Sequence, residues 1–565
     1  MSESCESERT SAMAHFQCLW PSHHAILLCV PSVLYFLGGF AGQLVSIQKL
    51  SIRKAWRLTR IVSSLSLLLS FACCSDALLH TPALVRRPRI SSLLTIGSFH
   101  LSFRFDVVEA LMLLLVTFLG WVIVSYSRAY MSGDPKEPRY IGNLMRTLAA
   151  VSLLVVTNNL VLFLLAWVLT SLSLHGLLTL YPHRQAAVIA AHKKFLASRL
   201  GDFTLLCGVM LLGSQTGSFE MDEVMHRISG SHPISASIHV AALLLAISAM
   251  IKCAQLPLHG WLIQVMEAPT PVSALLHAGV VNLGGFMLIR LAPVINTTQM
   301  AQGLLVVIGC LTAIISSLVM TTRISIKVHL AWSTCAQMGF MLMECGLGLY
   351  GLAFLHLLAH SLYKAHAFLG SGGTVNQAKL KRMMPPRPAI GVNALIGSAL
   401  SGLFVAILGA LLWQPHLRMN AVMIFCITVV GLATAGILAA ISSTCSIEAS
   451  LLLPISALGI SVLYFGYDRL FQRLAPLATI GPAPQHAILI FPVACFALLY
   501  TLHAIIRANP LGQIATTLYP WFYAGLYLDE LFTRATFRIW PAKQSSEITR
   551  RRDAAQPFEA RGVRL

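Results

Sequence analysis

One lysine lies deep inside a long apolar segment that is followed by a proline. Lys252 has apolar neighbours on both sides, and Pro257 lies five positions later. Proline cannot donate a backbone hydrogen bond and clashes with the preceding helical turn, so it frees carbonyl groups near Lys252. A broken helix with a buried lysine is typical of membrane transporters, and a buried lysine can take up and release a proton. The alternative is a lysine at a helix end whose ammonium reaches the membrane surface.

Histidines extend this pattern in later apolar segments. His277 lies about two turns into the next segment, where it is either a proton relay or a hydrogen-bonded core residue. His356, His360 and Lys364 are spaced by four, which places them on one stripe of a helix. The stripe predicts a proton path, with a structural polar network as the alternative. Zinc is disfavoured, because no Cys, Asp or Glu joins the stripe locally and Lys364 would repel a cation.

Weaker candidates are ionisable residues near the ends of apolar segments. They are Asp106, Glu109, Arg199, Asp202, Lys327, His329, Glu344 and Glu448. Arg199 and Asp202 are three positions apart and can pair within a helix. No nucleotide, flavin, quinone or iron–sulfur motif is visible, and the 13 cysteines are scattered without a C-x-x-C pair. The sequence therefore predicts neither a cofactor nor a bound metal.

The composition favours a membrane in which these side chains are embedded. Of the 565 residues, 56% are hydrophobic and only 11% are charged, whereas soluble domains carry roughly 25% charged residues. This excludes an ordinary soluble enzyme. The net charge of +19 is interpreted as basic residues retained in cytoplasmic loops, and not as a nucleic-acid surface.

Apolar segments long enough to span a bilayer recur along the whole chain. About fifteen are found, at 25–46, 61–80, 107–126, 144–158, 160–181, 195–215, 236–256, 270–292, 302–321, 326–345, 348–370, 389–413, 421–441, 449–467 and 487–507. A half-helix is expected after Pro257. The sequence predicts an all-α polytopic membrane protein with about 13–15 transmembrane helices.

The distribution of Lys and Arg predicts the orientation. Nineteen of them fall in loops on one side, including Lys193, Lys194 and Arg199 between the fifth and sixth spans. The positive-inside rule then places the N-terminus outside and the C-terminus in the cytoplasm. The start of the chain lacks a basic signal-peptide region, so the first apolar segment is expected to be retained. The C-terminal region is amphipathic and then basic, which favours an interfacial helix or a docking arm, with a solvated tail as the alternative for the residues after Lys543.

Several segments resemble the antiporter-like membrane subunits of respiratory complex I and of the multisubunit cation/proton antiporters. They are residues 102–106, 194–202, 252–261, 268–278, 331–339 and 356–372. The resemblance implies an antiporter-like core with a broken seventh helix, and it matches Lys252, His277, His356, His360 and Lys364 to the ionisable proton path of that family. Arg199, Asp202, Pro257 and Lys327 are expected to support the path.

The expected organisation follows from this resemblance, which covers about residues 100–375. It comprises a polar start (1–24), N-terminal helices (25–100), the antiporter-like core (101–375), C-terminal helices (376–508) and an amphipathic, basic cytoplasmic arm (509–565).

Two departures from the family pattern concern ionisable residues. The family carries Trp-Glu in the fifth span, where the Glu pairs with the seventh-span Lys, but here Val168 follows Trp167. The family's twelfth span is a second broken helix with a Pro and a Lys, and the segment 395–414 has neither before Gln414. The usual ion pair between the fifth and seventh spans therefore cannot form, and the usual exit half-channel at the twelfth span is in doubt.

The chain is also similar to the DabB membrane subunits of two-component inorganic carbon accumulation systems. The similarity rests on the two departures together with residues 166–175, 193–195, 259–268 and 525–534. The resemblance implies a partner subunit, DabA, which is a zinc protein similar to β-carbonic anhydrases. It implies that this chain is not itself an enzyme. The resemblance further implies that the chain lies in the cell inner membrane and conducts protons or Na+ to drive CO2 hydration in the partner. The alternatives are a proton-translocating subunit of a complex I-like or antiporter assembly, and a non-conducting membrane anchor for a cytoplasmic enzyme.

Overall fold

The structure is a computed structural model that describes residues 27–79, 89–96, 99–182, 184–230, 234–383, 391–413, 421–439, 447–474 and 486–540. The polar start, the basic tail after residue 540 and three of the scattered cysteines, Cys5, Cys18 and Cys445, lie outside the described residues.

The described residues form helices and one two-stranded sheet. The helices are α1 Val30–Ser46, α2 Ile52–Leu79, α3 Val107–Tyr130, α4 Glu137–Val156, α5 Leu160–Leu178, α6 Gln185–Thr216, α7 Met221–Gly230, α8 Ala236–Lys252, α9 Gly260–Gln264, α10 Thr270–Ala278, α11 Leu283–Arg290, α12 Ala292–Ile295, α13 Gln299–Met320, α14 Ile326–Gly346, α15 Tyr350–Leu369, α16 Thr374–Met383, α17 Val392–Trp413, α18 Ala421–Leu438, α19 Ile447–Leu474, α20 His486–Ala508, α21 Gln513–Tyr523 and α22 Leu528–Ile539. The strands are β1 Arg89–Ile96 and β2 Phe99–Phe105.

The predicted helical membrane fold is confirmed. A helix occupies each of the fifteen predicted apolar segments. Within the described residues, ten helical segments are long and apolar enough to cross a membrane when α10 and α11 are counted together as one, and α1, α8 and part of α18 are shorter apolar helices. Long apolar runs form helices in a bilayer because every backbone polar group must be satisfied within the segment.

The sheet was not predicted. β1 and β2 pair as an antiparallel hairpin before α3, and Phe103 also bridges to Thr157 at the end of α4. The signal was present in β2, where apolar and polar residues alternate from Phe99 to Phe105, the period of a strand with one buried face.

Two interruptions in the helices lie at the centre of the core. α8 ends at Lys252, and the chain turns through Pro257 before α9 begins at Gly260, as the broken seventh helix predicts. The eighth span is also interrupted, since α10 ends before Gly279 and a 3₁₀ turn, Val280–Asn282, precedes α11. A 3₁₀ stretch inside a helix often marks a functional hinge. The twelfth span, α17, is continuous over 22 residues.

Close contact between backbones joins the middle of the bundle. A Cβ atom placed on Gly309 of α13 would lie 2.6 Å from the carbonyl oxygen of Gly339 on α14, so only glycine permits this approach. One hydrophobic cluster fills the space among the helices up to α15. A second one, which includes Val306, Met343 and Phe425, joins α13 and α14 to the C-terminal helices.

The C-terminal helix α22 packs against the chain's own core. Asp529 Oδ1 lies 2.9 Å from Lys193 Nζ, and Asp529 Oδ2 accepts a hydrogen bond of 2.7 Å from Gln264 Nε2. Trp540 stacks on His192 at 3.9 Å between ring centroids. The sequence predicted either an interfacial helix or a docking arm for this region. In the structure α22 is an arm that docks on α6 and α9 of the same chain.

The same contacts correct the loop assignment of three basic residues. Lys193, Lys194 and Arg199 lie inside α6 and not in a loop between the fifth and sixth spans. The first two are buried, with 0% and 3% of their surface exposed. Polar residues at the start of a long helix were mistaken for a loop because their partners, Asp529 and Ser171, are distant in sequence.

Asp529→Ala is expected to release α22 from the core. The Lys193 side chain is fully buried while that of Asp529 is 31% exposed, so the substitution leaves a buried ammonium without its carboxylate, at a cost of about 1–3 kcal/mol. Hydrogen exchange of residues 528–539 should become faster. Glu530→Ala is the matched control and should leave exchange unchanged, since among the described residues Glu530 pairs only with the exposed Arg534. Unchanged protection in Asp529→Ala would contradict this role of the pair.

Candidate functional site

Lys252 is held in a buried position at the break of the seventh span. It is the last residue of α8, and 8% of its surface is exposed. Its Nζ lies 4.3 Å from the centroid of the Trp167 ring, a cation–π contact. Ser248 Oγ donates to the carbonyl oxygen of Gly201 at 2.8 Å and holds α8 against α6. Lys252 thus ends a helix, as the alternative interpretation required, but its burial argues against an ammonium that reaches the surface.

A carboxylate stands near Lys252 although Val168 replaces the family's glutamate. Asp202 on α6 is 8% exposed and is close enough to attract both Lys252 and Lys194. Arg199 Nη2 lies 2.6 Å from Asp202 Oδ2, which confirms the predicted pairing along the helix. One carboxylate therefore faces three cationic side chains.

Lys194 is a buried residue that the sequence analysis did not single out for the path. Its Nζ donates to the carbonyl oxygen and to Oγ of Ser171, at 2.6 and 2.8 Å. A cavity of about 10 Å³ lies among Lys194, Lys252, Trp167 and Trp261, which is room for about one water molecule. The adjacent Lys193-Lys194 pair inside an apolar run was the available signal.

His277 lies immediately before the interruption in the eighth span. Its ring stacks on Phe368 at 4.5 Å between centroids, and it is close enough to Lys364 for their charges to interact. Both of its ring nitrogens are buried, and neither has a hydrogen-bond partner among the described residues. Both nitrogens are therefore available to water molecules, as a proton relay requires.

The predicted stripe on α15 is buried in the core. Lys364 is fully buried and donates from Nζ to the carbonyl oxygen of Leu330 at 3.1 Å. His360 is 5% exposed, and neither of its ring nitrogens has a partner in the described part of the chain. The rings of His356 and His360 are 6.2 Å apart. The three side chains therefore form one row, as their spacing predicts.

An acidic residue from a neighbouring helix joins this stripe. Glu344 of α14 is 2% exposed, and its Oε2 lies 3.1 Å from His356 Nδ1. The carboxylate comes from a neighbouring helix, so spacing within α15 could not reveal it. Within the described residues, no group of three His, Cys, Asp or Glu residues has the arrangement of a metal site.

The ionisable side chains thus form two buried groups. One surrounds Lys252, and the other runs from His277 and Lys364 to His356. No direct hydrogen bond between described residues joins the two groups. Gln255 Oε1 and Ser273 Oγ are further buried polar atoms that have no partner in the described part of the chain. Buried polar atoms of this kind are normally satisfied by water.

The remaining candidates have structural partners elsewhere. Asp106 caps α3 by accepting from the backbone N–H of Val108 and pairs with Arg104 at 2.8 Å. Glu109 lies 3.1 Å from Arg290, a buried arginine that the sequence analysis missed. This cluster is a network of buried ion pairs that joins α3 to α11.

Among the described residues, two weaker candidates make no hydrogen bond or ion pair with the two buried groups. Lys327 is half-buried and makes no ion pair with any described residue, and the His329 ring contacts the carbonyl oxygen of Met320. The side chain of Glu448 lies outside the described residues.

Two family descriptions match this chain. "NADH:quinone oxidoreductase/Mrp antiporter, TM" matches residues 157–388, and "NADH-Ubiquinone oxidoreductase (complex I), chain 5 N-terminus" matches residues 93–141. The first range contains every side chain of both buried groups.

Similar proteins include two probable inorganic carbon transporter subunits. One, named DabB, from Hydrogenovibrio crunogenus, is 50% identical over 49% of this chain and 54% of its own length. The other, named DabB2, from Halothiobacillus neapolitanus, is 37% identical over 79% of this chain and 82% of its own length. The match thus spans about half of the first relative and most of the second.

The fold is also found in a solved antiporter complex. A chain of the Mrp complex from Dietzia sp. DQ12-45-1b superimposes with a TM-score of 0.53 at 21% identity, over 94% of this chain and 59% of that chain. At this identity the similarity concerns the fold alone.

Proposed function

Because this chain belongs to the family of DabB inorganic carbon transporter subunits, we propose that it conducts protons across the membrane to energise inorganic carbon accumulation. The observation that carries the proposal is the buried group at the broken helix, in which Lys252 lies beside Asp202 and Lys194. A charge at membrane depth is costly, so ionisable residues that remain there mark ion pathways.

The chemistry of the two groups favours protons over Na+. Lysine and histidine transfer protons, whereas Na+ is bound by oxygen ligands. Lys252, Lys364 and His360 offer nitrogen atoms only, and the carboxylates near them, Asp202 and Glu344, face cationic or imidazole side chains that compete with a metal cation. We propose that protons move between Lys252, His277, His360, His356 and Lys364 through intervening water, with Arg199, Asp202 and Pro257 maintaining the charge and the helix break.

The chemical reaction is assigned to a partner subunit. Relatives are named as subunits of a transporter, which supports a partner of the DabA type, a zinc protein similar to β-carbonic anhydrases. In this proposal proton flow through the chain drives hydration of CO2 to bicarbonate in the partner. The chain is a transporter subunit of the cell inner membrane with its N-terminus outside and its C-terminus in the cytoplasm.

A second candidate is a proton-translocating subunit of a complex I-like or cation/proton antiporter assembly. The match to the family description that includes the Mrp antiporter favours it. Val168 at the position of the usual glutamate and the continuous helix α17 argue against it.

Copurification combined with flux measurement tests the proposal. The full chain is expressed with its neighbouring reading frames, purified and reconstituted into liposomes that carry an imposed potential. We expect one large zinc protein to copurify and the liposomes to take up protons. Copurification of quinone-reductase subunits would support the antiporter-type assembly. A zinc partner without any proton uptake would indicate a non-conducting anchor and would refute the proposal.

A further inference from the structure

A large cavity lies where the buried row of α15 meets the C-terminal helices. Its volume is about 640 Å³, and its lining includes Glu344, His356 and His360 on one side and Tyr464, Tyr500 and His503 on the other. The lining residues belong to α14, α15, α18, α19 and α20. The cavity therefore lies between the antiporter-like core and the C-terminal part of the bundle.

The Glu344–His356 pair lies at the end of the proton row, against this cavity. His356 Nδ1 contacts Glu344 Oε2 at 3.1 Å, while His356 Nε2 is buried and has no hydrogen-bond partner among the described residues. His360 interacts electrostatically with His356, Lys364 and His277. A continuous series of ionisable side chains thus leads from Lys364 through His360 and His356 to Glu344.

This series supplies the proton acceptor that the twelfth span lacks. Helix α17 carries no ionisable residue between Val392 and Trp413, so a proton on Lys364 has no acceptor there. Glu344 is the one carboxylate among the described residues that line the cavity. A carboxylate in contact with a histidine can accept its proton and pass it to water.

We propose that Glu344 is the terminal proton acceptor of the buried row and that the cavity beside it is the proton's route to or from the aqueous phase. This inference rests on the proposed function and extends it to a residue and a route. As His356 Nε2 takes up a proton from His360 through an intervening water, the proton on His356 Nδ1 moves to Glu344 Oε2. The Glu344 carboxyl then releases that proton to water in the cavity, and His360 is reprotonated from Lys364.

Glu344→Gln tests the acceptor with little change of shape. The amide oxygen can still accept from His356 Nδ1, but the side chain cannot take up a proton. Proton uptake into liposomes should fall by at least about tenfold, since positioned proton-transfer groups contribute typically 10²–10⁴. Glu344→Asp keeps the carboxylate and should retain uptake within a few-fold of the unmodified protein. A purely structural role would not separate the two variants in this way.

A second pair of variants tests the route and leaves the acceptor intact. Ala433→Trp on α18 places a large ring in the cavity lining and should slow uptake by at least about tenfold, comparable to removal of a proton-transfer group. Gly436→Trp is the matched control on the same helix, because Gly436 does not line the cavity and its Cβ position faces open space. It should leave uptake unchanged.

The results of these experiments distinguish a failure of the route through Glu344 from a failure of the proposed function. Uptake that depends on Lys252 but is undiminished by Glu344→Gln, in protein that elutes as the unmodified chain does in size-exclusion chromatography, overturns the route through Glu344. The same conclusion follows if Glu344→Asp is as inactive as Glu344→Gln. If the unmodified protein shows no Lys252-dependent uptake, the proposed function fails, and the route fails with it.

Discussion

Lys252→Met is expected to abolish proton uptake into liposomes and, with an intact DabA-type partner, growth in air of a host that otherwise requires high CO2. Methionine fills a similar volume beneath the Trp167 ring but carries no titratable group. The effect should be large because Lys252 is the side chain that faces both the Trp167 ring and the Asp202 carboxylate, so the path is interrupted at the helix break.

Lys252→Arg separates charge from proton exchange at the same position. Arginine keeps the positive charge near Asp202 but does not release its proton at accessible pH. We therefore expect Lys252→Arg to fold and to bind the partner, yet to conduct no better than Lys252→Met. Lys49→Met, at an exposed lysine after α1, is the control and should conduct normally. Growth in air at the normal rate by Lys252→Met would refute the role of Lys252.

The features that could be predicted from the sequence are those encoded by neighbouring residues. Apolar runs indicated the helices, and Pro257 indicated the break after Lys252. The spacing of His356, His360 and Lys364 indicated one helical face. Each of these rests on the backbone or on the period of a single helix, which local sequence determines.

The missed features depend on contacts between helices. Asp202 approaches Lys252 across the α6–α8 contact, and Glu344 reaches His356 across the α14–α15 contact. No spacing within one helix reports such a pair. The interruption at Gly279 was missed for a different reason, because no proline marks it, and a lone glycine inside an apolar helix is a weak signal.

Asp202→Asn is expected to reduce proton uptake by more than about tenfold, because it removes the carboxylate that offsets three cationic side chains. Lys252 would no longer hold and release a proton as it does near Asp202, and a positioned proton-transfer group contributes typically about 10²–10⁴ in rate. Lys252, Lys194 and Arg199 would then lie near one another without a counter-charge. Asparagine preserves the volume, so the loss is electrostatic. Flux in liposomes and growth in air are the measurements. Glu223→Gln, which breaks an exposed pair with Arg227 along α7, is the control and should have no effect.

Val168→Glu in the Asp202→Asn background tests whether the position of the carboxylate or only its charge matters. Val168 follows Trp167, whose ring contacts Lys252, so a glutamate there would restore a negative charge near the same ammonium from α5 instead of α6. If Asp202 takes over the function of the family's glutamate, the double variant should recover much of the uptake lost in Asp202→Asn. Uptake that remains as low as in Asp202→Asn would instead assign Asp202 a role in α6 itself, through its pair with Arg199. Normal uptake in Asp202→Asn alone would show that Lys252 needs no counter-charge, and the electrostatic account of the helix break would then be wrong.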